Sequence, residues 1–558
     1  MESAPGVHEV CDRFVEEYAA ADPVMATLFG IAGFEDRLTD YSPAGHRLRA
    51  AIVRNALRSM VAIEPTTDSE RVAKAVFCER LGIELEVQDA GLRLASLNVI
   101  ASPVQDIRMV FDLMATETGA DWEAITVRLE QVPAALFGVR ASLLAAAENG
   151  RISARRQIDK TAEQAEAWAG SRGEMGFFTG LIAGASGVAG APLEELERNA
   201  RAADSAYDEF AGFLRGVLAP QAPAADAVGE RTYLLWSRYF TGAEFDLEEA
   251  YDWGWREFSA IEAEMRAVAA RIAPGKTPAE TAAVLDADPK YRVDGAAAFE
   301  EWLQRTSDAA LNALRGNHFD IPEQVARLEC KIAAPGGGVG AYYLGPSEDL
   351  RRPGRMWWSL EAGKEQFTTW REVSVVYHEG VPGHHLHAIV VLTADELNRY
   401  QRMMSFVDGH SEGWALYAER LMYELGYLSD DGARFGMLAE QLLRAARVIV
   451  DIGMHLESTI PAGTGFHEGQ RWTPELGLEF LLTRALTEPA RARFEIDRYL
   501  GWPGQAPAYK LGERGWLAAR DEARARAGES FSLKEFHTRA LRMGGMGMDT
   551  LRAQLAES

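Results

Sequence analysis

Apolar residues recur at steps of three and four along most of this chain, and that period fits a helix with one buried face. The stretches VHEVCDRFVEEYAA, 199–218 and ARFGMLAEQLLRAARVIVDIGMHLES all carry it. Ala, Leu, Arg and Glu, all strong helix formers, dominate these runs. Pro and Gly punctuate them at Asp22-Pro23, Ser42-Pro43, Ala273-Pro274-Gly275, Pro353-Gly354 and Pro503-Gly504. The expected fold is mainly α, with an N-terminal helical region over 1–215 and a second over 216–558, joined as one continuous compact unit.

Residues 326–360, ARLECKIAAPGGGVGAYYLGPSEDLRRPGRMWWSL, break the pattern. They are short of helix formers and rich in Gly, Tyr and Trp, which predicts a small hairpin or extended element. The GGGVG run lacks the Lys-Ser/Thr of a phosphate loop, so no nucleotide role is expected. After it, Phe367, Trp370, Val373 and Val376 step by three, predicting one apolar helical stripe that runs into YHEGVPGHHLH (377–387).

Four of the 11 histidines fall in that segment. A zinc-protease helix reads HExxH because positions i and i+4 share a face and present two imidazoles to one ion. Here the i+4 position is Pro382. On a straight helix His384, at i+6, points about 120° away from His378, and His385, at i+7, lies about 10 Å further along. Pro382 removes one helical hydrogen bond and clashes with the preceding turn, while Gly380 and Gly383 allow unusual backbone. A bulge or kink at 380–383 is therefore expected, and it would let His384, or less favourably His385, join His378 as a metal ligand. The other histidine would stand beside the site. Glu379, next to the first ligand, fits the general base that takes a proton from water attacking a carbonyl.

A third ligand is expected from a neighbouring helix. In DGHSEGWALYAER (408–420), Glu412 is far enough from Glu379 for a turn and a returning helix. A His-His-Glu set leaves one position open for water. Glu419, beside Arg420, reads as a solvated surface carboxylate. His410 and Asp408 are expected to orient the ligands. Oxyanion donors or lining groups are sought in His455, with Arg447 and Asp451 at four-residue steps before it, and in Tyr509, with Gln505 and Lys510. Arg447 and Asp451 also read as a simple ion-pair ladder. Tyr342 and Tyr343 lie on the expected hairpin, which suits pairing with an extended peptide. Arg351, Arg352 and Arg355 could grip a substrate carboxylate.

Composition narrows the alternatives. A net charge of −25 over 558 residues argues against a nucleic-acid or anionic-membrane partner. Cys11, Cys78 and Cys330 form neither a disulfide framework nor a cysteine metal site. The N-terminus shows no signal-peptide pattern, so a cytoplasmic location is expected. GFFTGLIAGASGVAGAPL (176–193) is too short and too rich in Gly to span a bilayer and reads as an inter-helix loop.

HEGVPGHHLH followed by EGWALYAE resembles the bacterial family known as domain of unknown function 885, regarded as a gluzincin-like metallopeptidase group. Five further segments resemble it: DPVMATLFGIAGFEDRLTDYSP (22–43), YYLGPSEDLRRPGRMWWSL (342–360), RVIVDIGMH (447–455), WPGQAPAYKLG (502–512) and FHTRALRMGGMGMDTL (536–551). The resemblance implies a zinc-peptidase-like, multi-helix fold with a small β element before the metal helix, and a zinc hydrolase. Its HEGxPGHH signature is similar in logic to the HExxGH of dipeptidyl peptidase III. Two departures bear on substrate preference: Trp357-Trp358-Ser359 replaces the usual Tyr-Val-Asn, and Gly544 to Met548 replaces Gly-x-x-Pro-Leu. The expected function is zinc-dependent cleavage of peptide or amide bonds in small peptides. The alternatives are a zinc enzyme acting on a non-peptide amide, and a non-catalytic binding protein on the same scaffold.

Overall fold

The computed structural model describes residues 6–323, 326–333, 340–360 and 363–556. Helices dominate them. The chain forms two compact units, one reaching to Ala227 and including Asp497–Trp502, the other comprising Val228–Ile496 and Pro503–Ser558. The expected boundary at 215 falls inside the helical turn Leu214–Leu218 that continues the Leu193–Phe213 helix.

The first unit is a helical bundle whose core includes Phe111, Trp122, Phe178 and Tyr207. Arg128 is fully buried in it. Its guanidinium donates to the carbonyls of Phe34 and Arg37 and to the Thr27 hydroxyl, which offsets the cost of desolvating the charge. The segment 176–193 is a loop only in part: Phe177–Leu181 is a short helix that sinks Phe178 into the core. No helix among the described residues is long and apolar enough to cross a membrane.

The second unit is built on the helix Asp431–Leu456, capped by the Asp430 carboxylate on the Ala433 amide and buried along nearly its whole length. The helices Leu247–Ile272, Thr369–Glu379 and Gln505–Ala527 pack around it. The helix Asp408–Glu424 lies against Gln505–Ala527 at backbone contact distance. A Cβ on Gly413 would stand 2.4 Å from the Gly512 carbonyl carbon, so this crossing tolerates only glycine.

The β structure is richer than a hairpin. Strand β1 (Arg292–Asp294) pairs antiparallel with β5 (Gln366–Thr368). A separate sheet has the order β2-β4-β3, from Leu328–Ile332, Gly354–Ser359 and Gly340–Leu344. β3 and β4 form the expected antiparallel pair, while β2 runs parallel to β4 on its other side. β3 is therefore an edge strand. The GGGVG run, except Gly340, lies outside the described residues. Phe367 belongs to β5 and not to the helical stripe, because the helix begins only at Thr369.

Candidate metal centre

The signature segment is two helices joined by a tight turn, which goes beyond the expected bulge. The first helix ends at Glu379, where the Gly380 amide still reaches the Val376 carbonyl (2.9 Å). The second starts at His384. Between them the Val381–Pro382 peptide is cis. The turn is closed by the Gly383 amide on the Tyr377 carbonyl (3.0 Å) and by the His385 amide on the Gly380 carbonyl (3.0 Å). A Cβ on Gly383 would stand 1.8 Å from the His378 carbonyl oxygen, so a side chain cannot be fitted there. The Trp414 indole N–H, from the neighbouring helix, donates to the Pro382 carbonyl at 2.8 Å and locks the turn from outside.

This break brings His384 beside His378. Their ring centroids are 4.9 Å apart with the planes perpendicular. One oxygen of Glu412 lies 3.2 Å from Nε2 of both rings. The three ligand atoms are all within 4.8 Å of one another, a spacing that one ion can bridge.

The outer nitrogens of both rings are occupied, which fixes which nitrogens face inward. His378 Nδ1–H donates to Glu419 at 2.8 Å, and the Ser374 hydroxyl donates to the other oxygen of that carboxylate at 2.5 Å. His384 Nδ1 lies 3.3 Å from the Ser411 hydroxyl. Glu419 is fully buried, contrary to its reading as a solvated surface group. Its seven-residue spacing from Glu412 is the signal that could have found it, since i and i+7 share a helix face and here hold the two nitrogens of one imidazole.

Burial alone would lower the pKa of His378, but hydrogen bonds to Glu412 and Glu419 raise it to about 9. Burial would likewise raise Glu412, and the charges of His384 and His378 instead hold it well below the carboxylate range. Glu379 is buried beside them. Desolvation raises its pKa, opposed by the His378, His384 and Arg444 charges and reinforced by Glu412. A carboxylate made more basic in this way is suited to accept a proton.

His385 is turned away from this cluster. Its Nε2 faces the Ala326 carbonyl (3.4 Å) and its Nδ1 accepts from the Tyr343 hydroxyl (2.9 Å), while desolvation lowers its pKa to about 4. Tyr343 also lays its ring along His384, 6.3 Å between centroids. Tyr342 points to the opposite face of β3 and stacks on Trp357. Tyr509 is near-parallel to His378 at 6.4 Å, and the Arg447 guanidinium covers it at 4.6 Å.

Other expected site residues take different places. Arg447 pairs with Glu495 (2.8 Å), and Asp451 accepts from the Tyr233 hydroxyl and the Gly504 amide. His455 packs its ring against Tyr233 at 5.6 Å. His410 does not touch the ligands: it is fully buried between His387 and Trp516, and neither ring nitrogen has a hydrogen-bond partner among the described residues. Gln505 donates to Asp408 (2.7 Å), and Lys510 is buried among Gln441, Glu513 and Glu257 as a core ion-pair network.

The donor set is the chemical test for an ion. It offers two imidazole Nε2 atoms, each with its Nδ1 engaged, and one carboxylate oxygen, a set that suits zinc or a similar divalent cation.

None of the curated proteins compared with the chain matches it. Two solved structures share its fold, both titled "putative lipoprotein". The one from Colwellia psychrerythraea has a TM-score of 0.85 and 23% identity, covering 99% of this chain and 98% of its own. The one from Shewanella oneidensis has a TM-score of 0.72 and 16% identity, covering 99% of each chain. The family model described as "Bacterial protein of unknown function (DUF885)" matches residues 23–555, and the chain belongs to that family.

Proposed function

We propose that this protein is a zinc-dependent hydrolase of peptide or amide bonds in small peptides. The observation that carries this reading is the convergence of His378, His384 and Glu412 next to the buried Glu379. A zinc ion held there would acidify a water molecule and polarise a carbonyl. Glu379 takes the proton of the attacking water and returns it to the leaving amine. Glu419 holds the His378 ring in the tautomer that leaves Nε2 free for the ion. Tyr509, whose ring lies between His378 and Arg447, would donate its hydroxyl to the developing oxyanion. The open edge of β3 offers backbone groups to an extended peptide, with Tyr343 facing the histidines.

The test is a mixed library of short peptides incubated with zinc-loaded protein and read by mass spectrometry. Cleavage by the wild type, with loss of at least about a thousandfold in Glu379→Gln, is expected for removal of a general base and its charge. A wild type that cuts no peptide refutes the peptidase reading.

A further inference from the structure

The β3–β4 loop and the start of β4 carry three arginines, Arg351, Arg352 and Arg355, and the fold treats them differently. The Arg351 side chain is 90% exposed and pairs with Asp349. Arg355 pairs with Glu329 at 3.1 Å. Arg352 has no carboxylate partner among the described residues. Its Nη2 donates only to the Gly345 carbonyl (3.3 Å), and its Nε is shut off from solvent without a hydrogen-bond partner. A half-buried guanidinium left in that state carries an uncompensated desolvation cost.

The loop is built to hold this residue in place. The Ser347 amide donates to the Arg352 carbonyl, and the Arg352 amide donates to the Ser347 hydroxyl, both at 3.0 Å. Glu348 forms a two-pronged pair with Arg399 (2.6 and 2.8 Å), which ties the loop to the helix Arg399–Met403. The Gly345 carbonyl that accepts from Arg352 belongs to a residue at which a Cβ would stand 4.0 Å from the Tyr343 ring, and Tyr343 in turn packs on His384 and bonds to His385. Tyr343 therefore links the end of β3 that Arg352 holds to His384, one of the proposed metal ligands.

We propose that Arg352 is the carboxylate-binding end of the site, and that the substrates are short peptides with a free C-terminal carboxylate, cut near that end. A planar guanidinium without a carboxylate partner among the described residues matches a substrate carboxylate in geometry and charge. The substrate carboxylate supplies the partner that the fold withholds from Arg352 alone. This inference rests on the hydrolase reading for its chemistry and on Arg352 for its specificity.

The test separates the two. Binding of glycyl-phenylalanine and of its C-terminal amide is measured by calorimetry on zinc-loaded Glu379→Gln protein. The free acid is expected to bind at least tenfold tighter than the amide. Adding Arg352→Ala should abolish that preference, Arg352→Lys should keep part of it, and Arg351→Ala should leave it unchanged. Equal binding of acid and amide, no binding of either, or a preference that survives Arg352→Ala overturns the proposal. A preference that depends on Arg352 in a protein that cuts no peptide upholds the carboxylate site and refutes the hydrolase.

Discussion

Glu419 and His378 are joined by a 2.8 Å hydrogen bond from Nδ1–H to the carboxylate, and both side chains are out of contact with water. The bond leaves Nε2 of the same ring facing Glu412 and His384. Glu419→Gln should weaken zinc binding roughly 10- to 100-fold, the usual effect of losing the outer partner of a ligating histidine. Competition with a chromophoric chelator measures it. Ser374→Ala, which removes only the hydroxyl bonded to Glu419, should shift the affinity less in the same direction.

The proposal that His384, and not His385, is the second ligand makes an equally direct prediction. His384→Ala should abolish stoichiometric zinc, because it removes one of three donors. His385→Ala should keep the metal, because that ring is spent on Tyr343 and Ala326. Elemental analysis of both variants after dialysis decides the matter.

Gly383 sits where a methyl group would collide with the His378 carbonyl at 1.8 Å. Gly383→Ala should cost roughly 1–3 kcal/mol or more by overpacking and should separate the two histidines. A lower melting temperature together with lost zinc binding is expected. Gly363→Ala, at a position with no neighbour within 4 Å, controls for loss of a glycine, although its positive φ carries a small strain of its own.

His537 gives a pH dependence remote from the ligands. It is buried, its Nε2 is bonded to the Tyr417 hydroxyl at 2.8 Å, and desolvation, aided by the Arg520 and His318 charges, lowers its pKa to about 3. The unfolded chain takes up a proton below about pH 6.5 and the folded chain does not, so stability falls on acidification from 6.5 towards 3. At pH 5 the loss from this group is about 2 kcal/mol. Urea unfolding at pH 7.5 and 5.0 should show a smaller difference in His537→Gln than in the wild type.

The helical class and the convergence of His378, His384 and Glu412 were legible because both depend on local pattern. Apolar spacing marks the helices, and Pro382 with its flanking glycines marks the break that the two histidines need. What escaped depends on contacts between distant segments. β2 pairs in parallel with β4 across 26 positions (Leu328 with Gly354), and nothing in the local composition of LECKI announces a parallel partner. Glu419 looked like one half of a surface Glu-Arg pair because Arg420 follows it, yet Arg420 turns to Glu264 and Glu419 turns inward. Arg447 and Asp451 have the spacing of a ladder, but nothing in that spacing announces Glu495, Tyr233 and Gly504, which arrive from elsewhere in the chain to bond them. Lys510, next to Tyr509 in sequence, points about 100° away around the helix and meets Gln441 and Glu513.

The account stands on His378, His384 and Glu412 acting together as the ligands of one ion. Zinc per chain, measured by mass spectrometry on protein exposed to zinc and then dialysed, tests this most directly. One ion per wild-type chain, and none in His378→Ala or Glu412→Ala proteins that remain folded, is the predicted result. A folded wild type that retains no zinc, or variants that retain as much as the wild type, would contradict it.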